Sequence, residues 1–242
     1  MISQLLDKQI FDVKEKYTCR FCNHSFAKEI TLTSHLCEKK RRHQQEKEIG
    51  VQWGLQAYLL FYSSTQLATK NKKTYQDFTE TPYYTAFVKF GRYCVDIKCI
   101  NFLSFTNWLL KNNKGIDHWC SDKLYEEWLT DYLRKEAVQD ALERSFKTMT
   151  DYSNNHTELK NGYTDYFRYG NVNRILHSIS NGKISPWVIF NCKSGIEFIE
   201  NLTEDQLGMI MSWIDPEYWN SKFRDSHEDV QWTRKILETA GL

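Results

Sequence analysis

The sequence predicts a mainly α protein: a small ββα module near the N-terminus, then a larger helical domain with at most a few short strands. Three observations carry this. The chain of 242 residues has three Pro and 15% aromatic residues, a composition that can bury a large core with few helix breakers. Apolar residues recur at helical spacing through most of the second half. A C-x2-C knuckle at Cys19 and Cys22 is followed, after twelve intervening residues, by His35. The boundaries read as 1–37 for the module, 38–50 for a polar linker and 51–242 for the helical domain.

Within residues 1–16 the stretch I-S-Q-L-L-D-K-Q-I-F has the pattern of a short amphipathic helix. In residues 17–37 two thiols from a tight knuckle and an imidazole from a following helix supply three corners of a tetrahedral metal site. Phe26 and Leu32 stand where a ββα module places its two apolar core residues. This stretch resembles a classical C2H2 zinc finger, and the resemblance implies Zn2+ as cofactor. The fourth ligand departs from that pattern, because residues 39–41 are Lys39, Lys40 and Arg41. Cys37 would give His-x-Cys. His43 on a continuous helix would lie ~12 Å beyond His35 along the axis, too far to share an ion bonded at about 2 Å. His24, inside the loop, is a weaker choice. The expected set is Cys19, Cys22, His35 and Cys37, with the helix unwinding after His35.

Residues 38–50 are polar and end in Gly50, which reads as a helical or flexible linker. Val51 to Thr69 is expected to be helical, with Trp53, Tyr58, Phe61 and Tyr62 near helical spacing. Residues 70–82 are polar and close on Thr81-Pro82. Pro82 to Ile100 mixes aromatic and β-branched residues around Gly91; a strand pair is possible by composition, and a helix is preferred. Leu103 to Asn112 is helical. Ser121 caps a helix whose apolar stripe is Leu124, Trp128, Leu129 and Leu133. Glu136 to Tyr152 reads as the next helix, Asn154 to Gly162 as a polar loop, and Gly170 to Ser180 as a helix stopped by the turn Asn181-Gly182. Ile184 to Ile189 is the best strand candidate, held to an edge or a start by Pro186. Thr203 caps a helix through Trp213. Asp215-Pro216 opens another, and His227 to Leu242 is the terminal helix.

Net charge is +1, so no global field draws the chain to nucleic acid. Its distribution is uneven. Lys14 to Lys47 holds nine basic and four acidic residues, while Ile196 to the end holds four basic and ten acidic. The seven Cys, with no secretory signal pattern, fit a reducing compartment. Cys94, Cys99, Cys120 and Cys192 read as buried free thiols. No apolar run approaches the 18 residues of a membrane span.

No phosphate-binding glycine loop and no nucleophile elbow is present in the sequence, and Asp117 and His118 beside Cys120 are too close in sequence to face one another. The chain is therefore expected to be non-enzymatic, without a small-molecule substrate. Lys39, Lys40, Arg41 and Arg42 offer a weak, nonspecific hold on nucleic-acid phosphates. The helix after the knuckle, starting near Lys28, carries Glu29, Thr31, Leu32 and Ser34 and is poor in Arg for base reading. Tyr163, Tyr166, Tyr169 and Tyr218 are the candidate partner-binding aromatics.

The finger with its basic tail, Y-Y-T-A-F-V-K-F-G-R-Y at 83–93 and G-K-I-S-P-W-V-I-F-N at 182–191 together resemble proteins of T4-like bacteriophages, in particular the baseplate hub assembly family. The richness in Asn, Lys and Tyr agrees. That resemblance implies a morphogenesis factor in the host cytoplasm, with phage structural or assembly proteins as partners. The alternative is a zinc-finger regulator that binds nucleic acid.

Overall fold

The computed structural model describes residues 17–65, 73–157 and 159–242. The expected helix within residues 1–16 lies outside them, as do residues 66–69 of the expected Val51–Thr69 helix. Described regular structure is helical apart from one two-stranded antiparallel sheet, as the composition and periodicity predict. The chain forms two compact units, one ending at Arg92 and one running from Tyr93 to Leu242.

The first unit opens with β1 (Tyr17–Thr18) and β2 (Ser25–Phe26), paired Tyr17 to Phe26 and Thr18 to Ser25. Then come α1 (Glu29–Ser34), α2 (Glu38–Gln44), α3 (Ile49–Thr65), α4 (Tyr75–Glu80) and α5 (Tyr84–Asp96), whose last residues, from Tyr93, belong to the second unit. The expected linker is thus largely helix α2. α4 lies in a stretch that reads as merely polar. Thr74 and Asp77 start it with a capping box, each side chain accepting from the other's backbone N–H.

The core of this unit is aromatic. Tyr58 packs against Phe78 at 5.3 Å and edge-on to Phe87 at 5.7 Å, and Phe78 meets Tyr84 at 4.8 Å. α3 and α5 cross on three glycines. A Cβ on Gly91 would lie 2.0 Å from the Gly50 carbonyl oxygen and 2.6 Å from the Gly54 nitrogen. A Cβ on Gly54 would lie 2.8 Å from the Phe87 carbonyl oxygen. The backbones touch because no side chain separates them. The aromatic and β-branched run around Gly91 is therefore a helix, and its glycine is a contact point rather than a break.

The second unit comprises α6 (Phe102–Lys111), α7 (Asp122–Lys135), α8 (Val138–Asn155), α9 (Tyr166–Tyr169), α10 (Val172–Ser180), α11 (Pro186–Ile189), α12 (Lys193–Glu200), α13 (Glu204–Gly208), α14 (Met211–Ile214), α15 (Pro216–Asp225) and α16 (His227–Thr239). Ser121 caps α7 as the sequence predicts, accepting from the Leu124 N–H. Three expectations change here. Ile184–Ile189 is not a strand: Ser185 caps α11, Pro186 takes the first helical position, and Ile184 through Ile189 are buried without alternation. A Ser N-cap followed by Pro is a helix start, and that chemistry overrides the β-branched composition. The helix expected from Glu136 begins at Val138. Glu136 is extended, and its buried carboxylate accepts from Arg144 and from the Ser185 hydroxyl. The helix from Thr203 breaks before Trp213, where Ile210 leaves helical geometry and is fully buried.

Tyr166, Ile175, Ile179, Ile184, Val188, Ile189 and Leu237 form one apolar cluster, and Trp187, Trp219, Ala141 and Val230 form another. Gly91→Ala should cost about 2 kcal/mol or more, because the added methyl meets backbone that cannot rotate away. Thermal unfolding followed by circular dichroism should show a melting point several degrees lower; an unchanged melting point would mean the α3–α5 crossing is not tight.

Candidate metal centre

Four donors converge in the first unit. The ligand atoms of Cys19, Cys22, His35 and Cys37 all lie within 4.8 Å of one another. Among the described residues this is the only grouping of three or more His, Cys, Asp or Glu side chains close enough to share an ion. The Cys22 Sγ is 3.3 Å from His35 Nε2, and the Cys19 Sγ is 4.0 Å from the Cys37 Sγ. A tetrahedral ion with metal–sulfur bonds of about 2.3 Å and a metal–nitrogen bond of about 2.0 Å sets such edges at roughly 3.5–3.8 Å. The donor atoms are spaced for one shared ion.

Each donor is placed by local backbone chemistry. Between the strands the chain turns through Asn23, whose φ of 58° is left-handed. Asn is among the residues that tolerate this. The turn is closed by the Asn23 N–H to the Cys19 carbonyl, 2.8 Å, and the Cys19 N–H to the His24 carbonyl, 2.9 Å. The backbone N–H of Phe21 holds the Cys19 thiol below its ordinary value. At Cys22 the His24 N–H pulls the same way, but desolvation and the neighbouring Cys19 and Cys37 leave that thiol raised.

His35 and Cys37 come from the joint between two helices. α1 stops at His35, where ψ of 123° is extended. Cys37 is the N-cap of α2, and its Sγ accepts from the Lys40 N–H at 3.4 Å. The unwinding that the His-x-Cys spacing requires is present, and it turns both side chains to the knuckle. Phe26 packs 4.8 Å from the His35 ring. His43, the alternative fourth donor, lies outside the cluster, 5.2 Å from the Phe21 ring and 3.8 Å from a Glu46 carboxylate oxygen. His24 also lies outside it, packed 4.7 Å from Phe26.

The basic run is partly engaged within the protein, while Lys39 and Arg41 stay exposed. Lys40 Nζ donates to the His35 carbonyl at 3.0 Å, and Lys39 pairs with Glu80 at 3.9 Å. Arg41 and Arg42 both pair with Glu38. Arg42 also donates to the Thr79 carbonyl, its guanidinium lies 4.3 Å over the Tyr84 ring, and its own carbonyl accepts from the Tyr75 hydroxyl. Arg42 therefore fastens α2 to α4 and to the start of α5. Its sequence neighbourhood, four cations in a row, gives no hint of this role.

The four tyrosines separate. Tyr166 is fully buried in the apolar cluster, so it is a core residue and not a partner contact. Tyr163 is half-buried and donates to the Ala240 carbonyl at 3.1 Å. Tyr218 is half-buried, with Arg134 4.1 Å over its ring and its hydroxyl on the Arg134 carbonyl. Tyr169 alone is open to solvent, at 63% exposure. The sequence grouped them by type; within residues 162–169 their burial runs from fully buried to open. No described helix is long and apolar enough to cross a membrane.

No protein-family model, curated protein or solved structure matches this chain. The class of protein is therefore defined by the site itself: a helical protein with a Cys3His metal-binding group in a ββα setting.

Removing Cys37 should abolish metal binding, and removing His43 should not. Elemental analysis of purified Cys37→Ala and His43→Ala decides this: about one ion per chain is expected only in the second. The opposite pattern would move the fourth ligand to His43.

Proposed function

We propose that Cys19, Cys22, His35 and Cys37 hold a structural Zn2+ and that the chain is a non-catalytic assembly factor acting through protein–protein contacts. The observation that carries this is the donor set with its setting. Three thiols and an imidazole are soft to borderline donors that suit zinc over magnesium or calcium, and four protein ligands close a tetrahedron with no position left for substrate. Neither α1 nor α2 has a buried residue. A segment with so little core takes its fold from the metal, as small zinc modules do.

The outer surface of the module favours a protein partner. Ile30 is 75% exposed and Leu36 is 60% exposed. On α1 the polar side chains that a base-reading finger would aim outward are turned back: Ser34 donates to the Ile30 and Thr31 carbonyls, and Thr33 to that of Glu29. Part of the basic run, Lys40 and Arg42, is engaged within the protein. A nucleic-acid regulator remains the second reading, supported by the finger resemblance, and any such binding is expected to be weak, nonspecific and lost by about 0.2 M salt.

The resemblance of residues 83–93 and 182–191 to T4-like phage proteins supports the biological setting. In this reading the protein acts in the host cytoplasm on baseplate hub components during tail assembly. The test is affinity purification from infected cells with and without nuclease, using the native chain and Ile30→Asp. Tail-hub proteins should co-purify with the native chain regardless of nuclease and be depleted with Ile30→Asp. Recovery of DNA or polymerase that nuclease abolishes would favour the regulator instead.

A further inference from the structure

The second unit contains two thiols brought together by a helix end. α5 finishes in a Schellman turn: the Cys99 N–H donates to the Cys94 carbonyl at 2.9 Å, and the Lys98 N–H donates to the Val95 carbonyl at 3.1 Å. Lys98 takes the left-handed position, with φ of 53°. That position usually belongs to Gly. The motif folds the residue after the turn back onto the helix, where an apolar pair commonly meets. Here the pair is Cys94 and Cys99.

Their surroundings are unequal. Cys94 is fully buried, while Cys99 keeps 9% exposure. The turn folds residue 99 back beside residue 94, and both cysteines belong to the buried core. Burial pushes the Cys94 thiol up. At Cys99 the hydrogen bond from Cys94 draws the thiol down, helped by the Asn101 N–H and the Tyr125 side chain. Tyr125 is itself fixed, its hydroxyl accepting from the Ile100 N–H at 3.2 Å. The two thiols are thus drawn in opposite directions, Cys99 down and Cys94 up.

We propose that Cys94 and Cys99 form a redox-active dithiol that closes to a reversible disulfide on contact with a hydroperoxide. The Cys99 thiolate attacks one peroxide oxygen, breaking the O–O bond and leaving a sulfenic acid at Cys99 with release of hydroxide. The Cys94 sulfur then attacks the Cys99 sulfur. The S–O bond breaks, the S–S bond forms, and the Cys94 proton leaves with the departing oxygen as water. In sum two thiols and one hydrogen peroxide give one disulfide and two waters. The turn supplies the proximity, and the stabilised outer thiolate supplies the nucleophile.

Lys98 makes the test direct, because trypsin cuts between the two cysteines. The full-length protein is exposed briefly to hydrogen peroxide, quenched with N-ethylmaleimide, unfolded and digested. Peptides 93–98 and 99–111 should be recovered joined by a disulfide that dithiothreitol reverses. The joined species should persist in Cys120→Ser and vanish in Cys94→Ser. Recovery of both peptides separately, each carrying maleimide, would overturn the proposal. So would Cys99 joined to Cys120. The peptide map of the unsubstituted protein is decisive by itself if Cys94→Ser fails to fold. Oxidation of Cys19, Cys22 and Cys37 is read on different peptides and does not bear on the outcome.

Discussion

The first part of this structure depends on four side chains meeting at one point. Between Tyr17 and Cys37 only Cys19 is buried. Phe26 and Leu32, the nominal apolar core, are each only partly covered. Backbone ordering costs roughly 1–2 kcal/mol per residue, and two partly buried apolar side chains return only a few. With so little apolar burial, the converging donors are the feature around which this segment is organised. The short strands, the left-handed Asn23 and the break after α1 all serve to bring those donors together.

The second helix of that region belongs to two structures at once. Its N-cap is the sulfur of Cys37, and its fourth turn-forming cation, Arg42, reaches the Thr79 carbonyl and the Tyr84 ring. A ligand and an anchor thus sit five residues apart on one short element. Arg42, the last of the cations that suggest phosphate binding in the sequence, is in the folded chain a tie between the metal-binding segment and the helices after it.

How far the sequence spoke depended on how local the physics was. The Cys3His set was legible because ligand spacing is fixed by bond lengths, and the His43 alternative failed on helix rise alone. Caps at Ser121, Thr203 and Asp215 were legible because they are short-range hydrogen bonds. Ile184–Ile189 was misread because β-branched composition speaks of burial as much as of strands. The breaks at Glu136 and Ile210 were hidden, since each is set by a distant partner or by the core. The role of Arg42 was hidden for the same reason, and the local turn at Cys94–Cys99 was hidden because Lys98 stands where such a turn usually shows Gly.

The crossing of α3 and α5 has a further meaning. Two helices in backbone contact at Gly50, Gly54 and Gly91 fit together as a key fits a notch. A slide of α5 by one turn along its axis would bring Phe87 or Val95 to the point where Gly91 meets Gly50 and Gly54, where there is no room for a side chain. Ordinary helix pairs can trade registers at modest cost by repacking side chains. This pair cannot, so its alignment is digital rather than graded. The position of every aromatic ring that α3 and α5 contribute to the core is thereby fixed by three residues that have no side chains.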